Sequence, residues 1–173
     1  MNPTQKRITA DTLRQLPPAK VKQLFTKLGP AKVDELQHDW SFWGRDAQFP
    51  PTDNEWNTWL INAGRGFGKT RCGAEWVREQ VKMGHKRIAC VASTNSDIER
   101  VMVKGESGFL SVCWKHDKDN KGKHMGFPEW SPTKRSLSWA NGAKVEFYSA
   151  EEPERLRGPQ FSAAWCDELA AWN

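Results

Sequence analysis

One short segment constrains the fold of this chain more than any other: a glycine cluster stands between an apolar run and an amphipathic stretch. The apolar run, residues 59–63, is typical of a buried strand. The amphipathic stretch Lys69–Met83 predicts a helix that Gly84 stops. Between them lies the sequence GRGFGKT, residues 64–70. Strand, glycine turn and helix form half of a βαβ unit, so the sequence predicts an α/β fold with a mainly parallel sheet.

The glycine cluster also predicts a phosphate-binding loop, or P-loop. Backbone N–H groups curl around the phosphates of a nucleotide only where glycines allow a tight turn. In such a loop Lys69 meets the β- and γ-phosphate oxygens, and the Thr70 hydroxyl ligates Mg²⁺. The strict pattern places its first glycine where this chain has Ala63, and Gly64 comes one residue later. The alternative is a glycine-rich turn that merely precedes a Lys-Thr helix.

A second apolar run, far downstream, ends in two carboxylates. Residues 161–166 predict a strand, and Asp167 and Glu168 follow it directly. Nucleotide hydrolysis needs an acid that holds the magnesium shell and a group that orients the attacking water. We assign the first role to Asp167 and the second to Glu168. By itself such a pair is more often a helix cap or a surface edge, but with the loop it specifies one site.

The first part of the chain predicts a helical lead-in over residues 1–38. Residues 16–24 and 28–36 resemble each other, and each segment is a short helix with proline in its first turn. This pair either contacts a partner or is a solvated surface. The aromatic and proline-rich residues 38–56 predict an irregular connection to the remaining chain, 39–173, which we interpret as one domain.

Three further elements are predicted downstream of the glycine cluster. Arg87–Ala92 is a continuous apolar run typical of the next parallel strand, and helix-capping residues then introduce a helix over residues 97–104. Residues 105–132, rich in glycine and lysine, are typical of a loop. Asn141 and Gly142 lie between two alternating runs, which predicts a β-hairpin.

Composition limits the function classes. The 173 residues carry a net charge of +5, which suits a polyanionic partner, and they contain neither a membrane-spanning run nor a signal peptide. We therefore expect a cytoplasmic protein with reduced cysteines. Cys113, His116 and His124 are either three zinc ligands without a fourth or parts of a solvated, lysine-rich loop.

Several segments together resemble a known family. From about residue 38 to 173 the chain is similar to the N-terminal ATPase part of the terminase large subunit of tailed bacteriophages. The segments that carry the resemblance are WSFWGRDAQFPP (40–51), WNTWL (56–60), GRGFGKTR (64–71), AEWV (74–77), RLRGP (155–159) and WCDE (165–168). The resemblance implies a P-loop core of the ASCE type. It also implies an ATP- and Mg²⁺-dependent motor that moves double-stranded viral DNA into a procapsid.

The resemblance also implies partners and further site residues. The expected partners are viral DNA, a small terminase subunit, the capsid portal and copies of the chain in a ring, in the cytoplasm of the host. Arg65 matches a proposed γ-phosphate sensor, although it could instead form surface ion pairs. Arg45 and Gln48 resemble the adenine-contacting region, with a plain turn as the alternative, and Arg157 is a candidate phosphate or subunit-interface residue.

The predicted nucleotide-binding residues are Arg45, Gln48, Gly64, Arg65, Gly66, Phe67, Gly68, Lys69, Thr70 and Arg71. The predicted metal ligands are Thr70 and Asp167. The predicted catalytic residues are Glu168, Arg65 and Lys69.

One departure from the family qualifies the expectation. The sequence ends five residues after Glu168, so we expect a sheet that is incomplete at its C-terminal end, without the nuclease domain and without DNA cleavage. Two other functions stay open: a helicase-like or other DNA-translocating ATPase, and a remnant that binds nucleotide without turnover.

Overall fold

Helices form the first part of the chain, and a sheet lies at the centre of the second. The computed structural model describes residues 9–52 and 55–172, and it divides the chain into two units, Met1–Leu60 and Ile61–Asn173. The domain boundaries expected from the sequence stay a prediction. Residues 1–8 of the predicted lead-in and residues 53–54 of the predicted connection lie outside the described residues.

The first unit is helical where the repeated segments predict helices. Its elements are α1 (Ala10–Arg14), α2 (Pro18–Gln37), α3 (Trp40–Trp43) and a 3₁₀ turn (Asp46–Gln48). Within α2, Gly29 has a φ of 74° and leaves the helical conformation, and Pro30 then begins the second helical segment. The predicted pair of helices is therefore confirmed. The connection predicted to be irregular contains α3 and the 3₁₀ turn.

The second unit alternates helices and strands. In chain order its elements are α4 (Lys69–Met83), β1 (Arg87–Ala92), α5 (Asn95–Asp97), a π-helical segment (Ile98–Val103), α6 (Phe109–Val112), β2 (Glu129–Ser131), β3 (Ser136–Ser138), β4 (Lys144–Ser149), a 3₁₀ turn (Pro153–Leu156), β5 (Ala163–Cys166) and a last 3₁₀ turn (Leu169–Ala171). Helix α4 and strand β1 coincide with their predicted ranges. No helix in the described part of the chain has the length and apolarity needed to cross a membrane.

The five strands form one mixed sheet in the order β2-β3-β4-β1-β5. Strand β1 pairs in parallel with β4 and with β5, whereas β2–β3 and β3–β4 are antiparallel. The α/β class is confirmed, but the expectation of a mainly parallel sheet is wrong. The reason is the Asn141-Gly142 turn: it forms the predicted hairpin, and a hairpin necessarily adds an antiparallel strand. Strand β2 then extends the sheet from that hairpin.

Two other sequence predictions need correction. Residues 59–63 form no strand, because an apolar run becomes a strand only when a neighbour supplies ladder hydrogen bonds, and within the described residues no strand pairs with it. The stretch predicted to be a loop, residues 105–132, contains the short helix α6 and strand β2.

The core of the second unit holds α4 against the sheet. Ala74, Val77 and Val81 on one face of α4 are fully buried. At Gly73 the helix approaches the β5 residue Trp165 so closely that a Cβ atom would lie 2.1 Å from its ring. A glycine on α4 thus allows close packing on β5, the strand that carries the acidic pair.

Candidate nucleotide-binding site

The glycine cluster adopts the tight turn that its sequence predicts. Gly66 and Gly68 have φ angles of 81° and 91°, in the left-handed region that favours glycine. Gly68 is the N-cap of α4, so the first N–H groups of this 15-residue helix follow the loop directly. The N-terminal N–H groups of a helix have no partners within the helix and attract anions. The loop therefore has the backbone features of a phosphate site.

Lys69 joins the two halves of the predicted site. Its Nζ donates hydrogen bonds to the carbonyl oxygens of Ala63, at 3.1 Å, and Gly64, at 3.5 Å. The same Nζ lies 3.9 Å from Oε1 of Glu168. Residues that are far apart in the sequence thus lie within ion-pair distance, as the combination of glycine loop and acidic pair predicts.

The acidic pair lies at the carboxyl end of β5. The backbone N–H of Asp167 donates to the carbonyl of Val91 at 2.8 Å, which continues the pairing of β5 with β1. Glu168 has a φ of 50° and a side chain that is 64% exposed. Burial and the neighbouring Glu168 raise the pKa of Asp167, while the positive charge of Lys69 lowers it. A cation beside Asp167 would therefore favour its charged form.

A cavity of about 750 Å³ opens beside the glycine loop. Its lining combines loop residues and Glu168 with a second segment, residues 100–107, that sequence reasoning did not identify. The lining residues are Arg65, Gly66, Gly68, Lys69, Thr70, Arg100, Val101, Gly105, Glu106, Ser107 and Glu168. The signal that could have identified this segment is its position after β1, because the carboxyl ends of parallel strands meet at one edge of a sheet.

Unpaired positive charge characterises the cavity. Within the described residues, the side chains of Arg65 and Arg100 form no hydrogen bond and no ion pair with the protein. With Lys69 they place three cationic side chains on the cavity, against the carboxylates of Glu106 and Glu168. Guanidinium groups bind phosphate oxygens through two parallel hydrogen bonds, so this lining suits a phosphorylated ligand.

Arg71, a predicted nucleotide contact, is engaged elsewhere. Its guanidinium binds the buried carboxylate of Glu75, with NH2 at 2.6 Å from Oε1. Glu75 also accepts from Arg78 at 3.0 Å, and Arg78 binds Asp117 through two hydrogen bonds of 2.6 Å. Lys82 completes this charge network at 3.2 Å from Asp117. The network anchors the loop around Asp117 to the side of α4.

The pKa of Asp117 follows from this network. Burial alone would raise it, but the hydrogen bonds and charge of Arg78, together with Lys82, bring it below its usual value. The pKa of the Arg78 guanidinium is raised in turn: burial opposes its charge, but the hydrogen bond to Asp117 and the charge of Glu75 outweigh that effect. Both side chains are therefore charged in the folded protein.

Not every candidate residue of the second unit lines the cavity. Gly64, Phe67, Arg71 and Asp167 do not contribute to it. In the first unit, Oε1 of the buried Gln48 accepts from the backbone N–H of Arg45 at 2.9 Å, which is the arrangement of a closed turn. The adenine contact of these two residues stays a prediction. The candidate arginine Arg157 forms an exposed ion pair of 2.8 Å with Glu154.

The three candidate zinc ligands do not form a metal site. Cys113 is buried, and burial raises the pKa of its thiol to about 12. The ring of His116 packs edge-on against Trp114. Among the residues that the structure describes, no group of three or more histidine, cysteine, aspartate or glutamate side chains could hold a metal ion. Cys113 belongs to the core of the second unit, whereas His116 and His124 are exposed on the lysine-rich loop.

Comparison with known proteins identifies the family. Neither a curated protein nor a solved structure matches the chain. The family model described as the N-terminal part of the terminase large subunit of the T4likevirus type matches residues 60–173. That range is more than half of the chain, and it contains the glycine loop, the whole sheet and the acidic pair. The chain therefore belongs to the family of N-terminal parts of T4likevirus-type terminase large subunits.

Proposed function

We propose that this chain is the ATP-binding and ATP-hydrolysing part of a motor that packages double-stranded viral DNA. The observation that carries the proposal is the approach of Lys69 to Glu168 at 3.9 Å, because it brings a glycine loop and an acidic strand end into one site. A P-loop ATPase needs both parts: one holds the phosphates, and the other activates water. Family membership adds DNA packaging as the task that hydrolysis drives.

Phosphate binding rests on the loop and on its cations. The left-handed glycines Gly66 and Gly68 expose backbone N–H groups, and a Cβ atom at Gly66 would meet nothing within 4 Å, so the loop has room for phosphate oxygens. Lys69 would exchange its hydrogen bonds to the loop carbonyls for bonds to phosphate oxygens. The Arg65 side chain, which has no partner among the described residues, is available for the terminal phosphate.

The residues present also fit a magnesium ion. Thr70 lines the cavity at the first turn of α4, and Asp167 follows the adjacent strand end, so a hydroxyl and a carboxylate would hold the ion. When bound, Mg²⁺ supplies positive charge that offsets the charge of the β- and γ-phosphates.

Glu168 is the residue proposed to activate water. Its carboxylate accepts a proton from the water whose oxygen attacks the γ-phosphorus, while the bond from that phosphorus to the bridging oxygen of ADP breaks. Inorganic phosphate and ADP leave. Arg65 and Lys69 stabilise the negative charge on the transferred phosphoryl group. The exposed side chain of Glu168 is accessible to such a water.

The wider assignment follows from the family and is part of the proposal. It comprises a P-loop core of the ASCE type, double-stranded DNA as the transported polymer, a small terminase subunit and a portal as partners, and a ring of copies of the chain. The cytoplasm of the infected host is the expected location. The net charge of +5 agrees with a polyanionic partner.

Lys69→Ala tests the proposal through binding. We expect Mg-ATP to bind the wild-type chain and the variant to lose most of that affinity, because the Lys69 ammonium lies on the cavity. Lys32→Ala is the matched control, since Lys32 is an exposed partner of Glu35 on α2 and does not line the cavity. Isothermal titration calorimetry measures all three proteins.

Two results would contradict the proposal. Equal affinity in the wild type and in Lys69→Ala would mean that the glycine cluster is only a turn. Binding without turnover in a steady-state phosphate-release assay would leave a nucleotide-binding chain and remove hydrolysis from the proposed function.

A further inference from the structure

A segment outside the glycine loop and the acidic pair forms part of the cavity lining. Arg100 belongs to the π-helical segment Ile98–Val103, and Gly105, Glu106 and Ser107 follow in the next turn. None of these residues has a role in the function proposed above. Their shared position on the cavity raises the question of which part of a ligand they contact.

The helix that carries Arg100 is firmly attached to the core. Thr94 caps α5, which leads directly into this segment: the Thr94 hydroxyl accepts from the backbone N–H of Asp97 at 3.2 Å. Ile98, Met102 and Val103 are almost completely buried, whereas Arg100 is exposed. The buried residues therefore fix the helix while Arg100 stays accessible from the cavity.

The turn after this helix is equally constrained. The N–H of Gly108 donates to the carbonyl of Gly105 at 2.9 Å, and the Ser111 hydroxyl donates to the same carbonyl at 2.8 Å. A Cβ atom at Gly105 would lie 2.5 Å from the carbonyl oxygen of Val101, so only glycine allows this close approach. The lining residues Glu106 and Ser107 are thus held in a turn of defined shape beside the cavity.

Arg100 differs from the other cation nearby. Lys104, four residues later, forms an ion pair with Glu99. Within the described residues Arg100 has no such partner, although it lines the same cavity as Lys69 and Thr70. An arginine that lines a cavity and pairs with no carboxylate of the chain is available to an anionic ligand. Its planar guanidinium can donate two parallel hydrogen bonds to a phosphate group.

We propose that Arg100 is a second phosphate-binding arginine of this site, contacting the phosphate chain of the nucleoside triphosphate that the glycine loop holds. The inference rests on the proposed function, because the ligand is the same nucleotide. It adds a contact from the segment after β1, so the phosphates would lie between two separate parts of the second unit. Ser107 is positioned on the same part of the lining and offers a hydroxyl to the same ligand.

The test compares Mg-ATP affinity in four proteins by isothermal titration calorimetry. Arg100→Ala should weaken binding about tenfold, the size expected for the loss of a charge-assisted hydrogen bond. The Mg-ATP affinity of Arg100→Lys should lie between those of this variant and the wild type, because lysine keeps the positive charge but cannot donate two parallel hydrogen bonds. Lys104→Ala should bind like the wild type. It removes an equal charge about one turn from Arg100, but Lys104 does not line the cavity.

The outcomes separate this inference from the proposed function. If the wild type does not bind Mg-ATP, both are wrong. If the wild type binds and Arg100→Ala stays within about twofold, a difference of about 0.4 kcal/mol, only the role of Arg100 is wrong. An equal loss of Mg-ATP affinity in Lys104→Ala would mean that only the net positive charge matters, and it would also overturn the proposed contact of Arg100. Weaker binding of duplex DNA with unchanged Mg-ATP affinity would assign Arg100 to a different phosphate ligand.

Loss of folding does not explain weaker binding by Arg100→Ala, because the Arg100 side chain makes no hydrogen bond or ion pair with the described residues that its removal would break. Thermal unfolding of Arg100→Ala should match the wild type. If that variant unfolds earlier, Arg100→Gln provides the second measurement, since it keeps most of the aliphatic stem and removes only the charged fork.

Discussion

Two groups of charged side chains lie near α4 and differ in almost every physical respect. The network of Glu75, Arg78 and Asp117 is buried, and each member has a partner within 3.0 Å. The cavity cations Arg65 and Arg100 have no partner among the described residues. The same residue type, arginine, thus occurs in a saturated network and on an open cavity. Burial and pairing, rather than charge, distinguish a structural arginine from one available to a ligand.

The two groups also differ in how they affect the free energy of folding. Removing charges from water costs free energy that pairing in the interior must offset, so the buried network is stable only while it is complete. The exposed cavity cations keep their hydration, and their cost to the fold is small. We therefore expect substitutions in the network to alter stability and substitutions on the cavity to alter ligand binding or turnover.

The largest expected effect is on turnover. Glu168→Gln keeps the shape of the side chain but removes the group proposed to accept a proton, so the rate should fall by about 10²–10⁴-fold, the usual contribution of a positioned base. Affinity for Mg-ATP and the unfolding temperature should stay close to those of the wild type. The measurement is steady-state phosphate release combined with calorimetric titration.

Glu106→Gln is the matched control for that experiment. Glu106 is the other carboxylate on the cavity, and its loss should leave turnover nearly unchanged. A rate for Glu168→Gln within about threefold of the wild type, about 0.7 kcal/mol of barrier, would mean that another group activates the water.

The second effect concerns stability. Asp117→Ala leaves the buried guanidinium of Arg78 without its main partner, and breaking a buried pair in this way costs ~3–5 kcal/mol. Urea unfolding of the wild type and the variant at pH 7 measures the loss. Glu154→Ala, which breaks the exposed pair with Arg157, is the control and should change stability by less than ~1 kcal/mol. Similar losses in the two variants would remove the distinction between the groups.

The smallest expected effect is the pH dependence of the stability that Asp117 contributes. Because the pKa of Asp117 in the folded chain lies below its unfolded value of about 3.9, the stability that this residue contributes is complete above that value. The contribution is lost as pH falls through the lowered pKa. The difference in unfolding free energy between the wild type and Asp117→Ala should therefore be constant from pH 7 to about pH 5 and should shrink in stronger acid. A difference that grows on acidification would contradict the assigned direction.

Local patterns in the sequence predict the elements that depend on local interactions. Helix α4, strand β1 and the hairpin turn at Asn141-Gly142 lie where periodicity, a stop glycine and turn residues place them. The glycine loop and the acidic pair are likewise recognisable from residue type and spacing. Each of these signals acts over a few residues, which is why they can be predicted without the fold.

Pairing and packing over long distances are not visible in such patterns. Residues 59–63 have the composition of a strand but no ladder partner in the described chain, so composition alone gives the wrong structure. The guanidinium of Arg71, which follows the glycine loop, binds Glu75 one turn along the same helix, while its contact with nucleotide stays a prediction. An apolar run or a free cation in the sequence does not specify which neighbour it will meet.

The sequence by itself determined the glycine loop, the acidic pair and the family, because glycine conformations and residue spacing are local properties that the chain carries in any context. The tertiary structure decided which charges face the cavity and which are paired in the interior. It placed Arg100 on the same cavity as Lys69 and turned Arg78 toward Asp117 through strand order and helix packing. Burial depends on every neighbouring element at once, so only the folded chain distinguishes the arginines that stabilise it from those that can bind a ligand.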